Sequence, residues 1–259
     1  MPESMDEMGR QENELKPAPW GFWATLGISA FIILSYFVCG IIATAGFVGL
    51  YPSQDLGTDP SRLASNGTLV TLAVLISSPF TLLLTYLFAR LRREVPIKDY
   101  LGLHELGWKK ILLWSSILVV FAAGSDLLTF LLKRPILQEF LLNVYATATS
   151  KPLLWFALVI AAPVSEEIFF RGFVFYGILH TKLGSRGAIA LSSLIWAPLH
   201  FQYDFYGILT VVILGLLFGY ARLKTNSVYT TIVMHALMNF IAATEILVHV
   251  GLASGKAIL

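Results

Sequence analysis

Two adjacent carboxylates and one guanidinium interrupt a long apolar stretch of this chain. Glu166, Glu167 and Arg171 lie in a largely apolar run that reaches from residue 153 to residue 179. Residues four apart on a helix face each other, so Glu167 and Arg171 can form an ion pair within their own helix. Glu166 points about 100° away from Glu167 and has no such partner there. The spacing therefore predicts one structural carboxylate and one carboxylate that is free to act as a base.

Three further polar side chains lie in apolar segments nearer the C-terminus. His200 ends one such segment, and His235 and Asn239 are four residues apart, on one face of a later helix. Polar groups at membrane depth are costly unless they bond to one another or line a hydrated cavity. We therefore expect these three side chains to meet Glu166 at a single buried polar site.

A proline precedes the glutamate pair, and another precedes the first of these histidines. They are Pro163 and Pro198. Because proline has no N–H, the carbonyls of Val159 and Leu194 would lose their helical hydrogen bonds. We expect the helix to be loosened beside each polar group.

Together these residues form three short motifs in a fixed order. The motifs are Glu166-Glu167-x-x-x-Arg171, Trp196-x-x-x-His200 and His235-x-x-x-Asn239. In this order, on separate apolar helices, they resemble the motifs of the CPBP family, the CAAX-protease and bacteriocin-processing (Abi) intramembrane proteins. That family usually has Phe at the position of Trp196, so the wall beside His200 is expected to differ in shape.

The resemblance implies an intramembrane endopeptidase that hydrolyses a membrane-associated or lipophilic peptide or protein. Glu166 would activate a water molecule with the help of His200. His235 and Asn239 would stabilise the oxyanion of the tetrahedral intermediate, where a fixed donor is worth about 3–4 kcal/mol. The same resemblance makes Glu167, with its ion-pair partner, a structural support of the site.

A zinc ion is the alternative to a metal-free site. Glu166, His200 and His235 match the His₂Glu ligand set of catalytic zinc sites. Zinc would occupy Glu166 as a ligand, and the only remaining base would be Glu167, which is expected to be held by Arg171. We therefore favour a glutamate-dependent hydrolase without a metal or other cofactor.

Two non-enzymatic functions would use the same residue types. The polar cluster could bind a peptide and confer bacteriocin immunity without cleavage, or it could be the ion or proton relay of a transporter. A relay needs polar residues along the length of several spans, whereas here they cluster on three segments. Binding without cleavage stays open at the level of the sequence.

The composition is that of a polytopic membrane protein. The chain has 259 residues, of which 56% are hydrophobic and 13% charged, whereas soluble domains carry about 25% charged residues. We predict an all-α membrane bundle with about seven transmembrane helices and one interfacial helix, at about 136–148. The predicted spans are about 20–50, 67–89, 111–132, 152–179, 188–201, 206–221 and 228–250.

Basic residues are concentrated between the second and third predicted spans, which predicts that this connection and the N-terminus are cytoplasmic. We expect a disordered cytoplasmic tail at 1–19 and one integral membrane domain at 20–259, with the CPBP core at about 111–250. The expected location is a bacterial plasma membrane. The expected partners are the lipid bilayer and a peptide or membrane-protein substrate, but no nucleic acid. The sequence leaves the oligomeric state open.

Overall fold

The described part of the protein, in a computed structural model, comprises residues 19–50 and 60–254. Over these residues the chain is helical and contains no strand, which confirms the predicted all-α architecture. Apart from Pro19, the predicted N-terminal tail lies outside the described residues.

The helices are named here in chain order. They are α1 (Phe22–Leu50), α2 (Pro60–Ala64), α3 (Gly67–Leu91), α4 (Ile97–Leu101), α5 (Trp108–Leu131), α6 (Glu139–Thr147), α7 (Lys151–Leu179), α8 (Gly184–Trp196), α9 (Phe205–Thr225) and α10 (Val228–Ser254). A 3₁₀ turn, Ala197–His200, continues α8.

Six helices of the described part are long and apolar enough to cross a membrane, namely α1, α3, α5, α7, α9 and α10. They coincide with six of the seven predicted spans. The remaining predicted span, 188–201, forms α8, which has only 13 residues and is therefore about 20 Å long. A single crossing needs about 20 apolar residues, so α8 is too short to cross alone. The predicted interfacial segment forms the nine-residue helix α6.

The most buried of the six long helices is α7. Within its most apolar window 44% of the residues are buried, against 17% in α1 and in α5. It packs against α3, α8, α9 and α10. Since α7 is buried among these helices, its charged groups must find partners within α7 itself or on its neighbours.

Two π turns divide α7, at Ala157–Ala161 and Ile168–Val174. Such turns often occur at functional sites in α-helices. The six-residue α segment between them, Ala162–Glu167, ends in the two glutamates. The glutamate pair therefore lies between two places where the backbone leaves α geometry.

The close contact of α8 with α9 depends on two glycines. A Cβ on Gly215 would lie 3.0 Å from the Ser193 side chain and 3.2 Å from the Trp196 ring, and one on Gly219 would lie 3.2 Å from Ile189. These distances are too short for ordinary contacts, so larger residues would push the helices apart. The glycine pair thus allows the Trp196 ring to reach the core.

Candidate active site

Glu167 is the acceptor at the centre of a fully buried ion pair. Arg171 Nη1 lies 3.1 Å from Glu167 Oε1, and both side chains are 0% exposed. The predicted ion pair between residues four apart is present. A buried pair of this kind is destabilising to break, because the remaining charge is left without a partner.

The same carboxylate oxygen also binds His235 from α10. His235 Nδ1 lies 2.9 Å from Glu167 Oε1. Sequence reasoning assigned Glu167 only to its own helix, so this link between α7 and α10 was missed. Because one ring nitrogen of His235 is fixed by Glu167, the orientation of the ring and the position of Nε2 are fixed as well.

Glu166 bonds to a different group, the indole of Trp196. Trp196 Nε1 donates to Glu166 Oε2 over 2.6 Å. Trp196 is 1% exposed, whereas Glu166 is only half-buried. The two neighbouring carboxylates therefore differ: Glu167 is held in a charged network, and Glu166 accepts from a neutral donor.

The Trp196 ring also touches both histidines of the predicted site. Its centroid is 4.9 Å from that of His200 and 5.3 Å from that of His235, edge-on in both cases. The Arg171 guanidinium lies 4.4 Å from its centroid. One indole thus contacts Glu166, His200 and His235, so these three side chains are neighbours around a common wall.

Asn239 occupies a different place in the network. Its Nδ2 donates to the carbonyl of Leu158 over 2.7 Å. In the first π turn the amide of Ala162 bonds to the carbonyl of Ala157, so the carbonyl of Leu158 would have to bond to residue 163, which is proline. The sequence predicted that Pro163 frees the carbonyl of Val159, whereas the carbonyl that Asn239 binds is that of the preceding residue, Leu158.

Three polar atoms at the centre of the site are buried without a hydrogen-bond partner among the described residues. They are Glu167 Oε2, Arg171 Nε and His200 Nδ1. Native proteins rarely leave buried polar atoms unsatisfied, and exceptions often have a catalytic reason or a water partner. The atoms cluster around the predicted site, which is consistent with a place where water or substrate binds.

The alternative zinc ion would need at least three ligand side chains close together. Within residues 19–50 and 60–254, no group of three or more His, Cys, Asp or Glu side chains is arranged to hold a metal ion. Of the proposed ligands, Glu166 bonds to the Trp196 indole and His235 bonds to Glu167. These bonds leave a second ligand atom on each side chain, Glu166 Oε1 and His235 Nε2, so the observation that speaks against a zinc site is the spatial arrangement of the described residues.

A second polar contact, missed in the sequence, supports α7 from the other side. Arg222 of α9 is 2% exposed, and its Nε donates to the carbonyl of Arg171 over 2.9 Å. The predicted span ended at residue 221, so the sequence provided no reason to expect Arg222 in the core. It reaches α7 over Gly102, where a Cβ would lie 2.2 Å from Arg222 Nη2.

The segment beside Gly102 is itself tightly held. Tyr100 of α4 is 0% exposed and stacks on Phe173 of α7 with ring centroids 5.4 Å apart. Burial raises the pKa of the Tyr100 phenol, which therefore stays neutral at ordinary pH. This apolar contact fixes α4 against the second π turn.

One family matches the part of the chain that carries this site. Residues 148–241 match the family model described as type II CAAX prenyl endopeptidase Rce1-like. The match begins just before α7 and ends within α10, so it includes every residue from Glu166 to Asn239. No curated protein and no solved structure matches the chain.

The match confirms the resemblance that the three motifs indicated. The described residues include six helices apolar enough to cross a membrane, which fits an integral membrane protein. Over residues 148–241, the chain is therefore similar to the type II CAAX prenyl endopeptidases of the Rce1-like family, which are intramembrane proteases.

Proposed function

We propose that the protein is a glutamate-dependent intramembrane endopeptidase whose base is Glu166. The observation that carries this proposal is the Trp196 indole, which bonds to Glu166 and touches both His200 and His235. A half-buried carboxylate beside two imidazoles has the groups that peptide hydrolysis needs: a base, a second proton carrier and hydrogen-bond donors.

The reaction begins when Glu166 takes a proton from a water molecule that His200 helps to hold. The hydroxide adds to the carbonyl carbon of the scissile peptide bond, and the carbonyl electron pair moves onto oxygen. Glu166 then gives its proton to the leaving nitrogen as the C–N bond breaks. The products are a carboxylic acid and an amine, and Glu166 returns to its starting form.

His235 is the proposed donor to the developing oxyanion. Its Nδ1 is held by Glu167, so Nε2 is the ring atom that faces the reacting group. A ring that already donates from Nδ1 can donate from Nε2 only as an imidazolium. The Glu167 carboxylate, which Arg171 also binds, is then the counter-ion of that imidazolium.

Asn239 is the second proposed oxyanion donor, and only one of its two side-chain N–H groups is available for this role. One of its two N–H groups goes to the Leu158 carbonyl, and a primary amide has a second N–H to give. The bond to Leu158 fixes the amide plane, so the second N–H has a defined direction. Asn239 therefore serves both the helix backbone and the proposed site.

The proposed substrate is a membrane-associated or lipophilic peptide, such as a leader peptide, a pheromone-like peptide or a membrane-protein tail. The site lies on helices that are apolar over most of their length, so a substrate must reach it from the bilayer or its interface. A water path must also reach Glu166, because hydrolysis consumes water.

The test is a comparison of peptides in membranes and medium from cells that express the protein or a variant. We expect peptides that depend on the wild type to vanish with Glu166→Gln, which keeps the shape but removes the base. Glu245→Gln is the matched control, since Glu245 is a half-buried carboxyl elsewhere on α10. Membrane level must be equal for all three proteins.

Two outcomes would contradict the proposal. Peptide patterns that are the same with wild type and Glu166→Gln would favour binding without cleavage. Lasting loss of cleavage after chelation of the purified protein, with recovery on addition of zinc, would overturn the metal-free mechanism.

A further inference from the structure

The contact between Trp196 and Glu166 has the geometry of a strong hydrogen bond. The separation of 2.6 Å is short for an N–H donor, as expected when the acceptor is a charged carboxylate. Trp196 is 1% exposed, so water does not compete for the indole N–H. Both properties increase the influence of this one bond on Glu166.

The indole has no freedom to turn away from the carboxylate. The Arg171 guanidinium lies on the ring, 4.4 Å from its centroid, and the Phe218 centroid is 5.9 Å away. Gly215 brings the backbone of α9 against the ring, because even a Cβ there would be 3.2 Å from it. The donor is therefore fixed before any substrate binds.

A tryptophan suits this position because its indole N–H is a donor only. It can hold one carboxylate oxygen but cannot take the proton that Glu166 must accept and return. A phenylalanine would preserve most of the ring contacts and lose the donor. The neighbouring Glu167, in contrast, is bound by two groups that can both be charged.

On these grounds we propose that Trp196 is the positioning residue for Glu166. Its N–H fixes Oε2 and leaves Oε1 to face the water that is activated. This inference rests on the proposed function only for the role of Glu166 as the base. The hydrogen bond itself is a separate statement about the folded protein.

The first test reads the hydrogen bond directly, by NMR of the full chain in detergent micelles with ¹⁵N-labelled tryptophan side chains. The chain has six tryptophans, and Trp196→Phe identifies the Trp196 indole signal as the one that disappears. We expect Glu166→Gln to move this signal, because a neutral amide is a weaker acceptor. Glu245→Gln should leave it in place. An unmoved signal in Glu166→Gln would overturn the inference.

The second test reads the consequence for catalysis. Membranes from cells that express Glu166→Gln retain uncleaved substrate and are the probe for the purified proteins. We expect Trp196→Phe to cleave about tenfold more slowly, since a hydrogen bond to a charged group is worth roughly 1.5 kcal/mol or more. Its pH profile should also move to higher pH on the acid side, because the carboxylate has lost a donor.

Trp114→Phe is the matched control for the second test. Trp114 is also buried, at 8% exposure, but it packs against Tyr220, away from the site. The charged or titratable groups that act electrostatically on Glu166, namely Tyr36, Arg171, His200 and Tyr203, are unchanged in both variants. A pH profile of Trp196→Phe that coincides with that of Trp114→Phe would overturn the positioning role.

The two proposals fail in different ways. If Glu166→Gln still cleaves while the Trp196 signal moves, Glu166 is not the base and the hydrogen bond stands. If Glu166→Gln is inactive while the Trp196 signal stays in place, the base stands and the inference about Trp196 is wrong.

Discussion

In each of the two π turns of α7, a backbone carbonyl accepts a hydrogen bond from a side chain of another helix, and the two turns use different helices. In the first turn the carbonyl of Leu158 accepts from the Asn239 amide of α10. In the second, the amide of Phe175 bonds to the carbonyl of Phe170, and the carbonyl of Arg171 accepts from Arg222 of α9. The backbone defect is the same, but the donors differ in charge.

The turns also differ in origin and burial. The first is followed by Pro163, which has no N–H to give, so its cause can be read in the sequence. The second contains no proline, and its residues from Phe169 to Val174 are all buried. There Gly172 lies against α4, since a Cβ on it would be 3.0 Å from the carbonyl of Leu101. The second turn is thus a product of tertiary packing.

The donors at the two π turns fix the segment that carries the glutamate pair. Glu166 and Glu167 lie between the turns, so a donor on α10 and a donor on α9 fix the two ends of their segment. The donor on α9, Arg222, is charged and almost fully buried, whereas the donor on α10, Asn239, is neutral and half-buried. We therefore expect stability to depend mainly on Arg222, and the bond of Asn239 to be the weaker of the two.

The largest expected effect comes from Arg222→Met. Methionine keeps the apolar stem but leaves the carbonyl of Arg171 buried without a donor. A lost hydrogen bond to a charged group, with an unsatisfied acceptor left behind, costs about 3 kcal/mol. The free energy of unfolding, measured in mixed micelles, should fall by that amount.

Lys224→Met is the control for this change. Lys224 is exposed on the same helix, and its ammonium lies 5.4 Å from the Tyr220 ring centroid. Exposed contacts of this kind contribute roughly 0.5–1 kcal/mol. Equal losses from the two variants would mean that Arg222 does not support the second π turn.

The sequence predicts contacts within one helix, but it does not predict contacts that depend on the packing of different helices. The ion pair of Glu167 with Arg171 follows from helical spacing alone, and it is present. The roles of Arg222 and Trp196 depend on how α8 and α9 pack on α7, which spacing along the chain does not encode. The same reason explains the short helix α8: only the packed structure shows that a 13-residue helix can be accommodated there.

The side chains of the candidate site show the same limit of prediction from the sequence. His200 and His235 were predicted to lie near Glu166, since buried polar groups need one another. The pairing of His235 with Glu167, and not with Glu166, could not be predicted because it depends on the rotation of α10 against α7. Likewise, spacing along the chain does not encode the bond of Asn239 to the carbonyl of Leu158.

A smaller effect is expected from Gly102→Ala. Gly102 has φ +66°, and the added Cβ would lie 2.2 Å from Arg222 Nη2. Strain from the left-handed backbone and displacement of the guanidinium should together cost about 2 kcal/mol. Gly184→Ala is the matched control, because Gly184 has φ +55° with no atom within 4 Å of the added Cβ. It should show the backbone strain alone, about 1 kcal/mol.

If Gly102→Ala acts through Arg222, its extra cost should disappear in the Arg222→Met background. The measurement is again the free energy of unfolding in mixed micelles. An unchanged cost in that background would show that Gly102 affects α4 and not the donor to the second π turn.

In the first turn, Asn239→Leu is expected to have a still smaller effect on stability. It removes a neutral donor from the Leu158 carbonyl in a half-buried position. The net cost of such a hydrogen bond is about 1 kcal/mol. Unfolding in mixed micelles should show a loss clearly below that of Arg222→Met. A loss as large as that of Arg222→Met would contradict the ranking of the two turns.

The smallest change is the most specific test, because Pro163→Ala supplies the N–H that the first turn lacks. In π register, the amide of residue 163 reaches the carbonyl of Leu158, which then no longer needs Asn239. Asn239→Leu should therefore cost about 1 kcal/mol in the wild-type background but close to nothing in the Pro163→Ala background. The coupling is obtained from the free energies of unfolding of four proteins: the wild type, the two single variants and the double variant.

The same cycle with Arg222→Met in place of Asn239→Leu should be additive within about 0.5 kcal/mol, since the second turn has its own donor. Coupling in that second cycle, or none in the first, would mean that the two turns are not independently held.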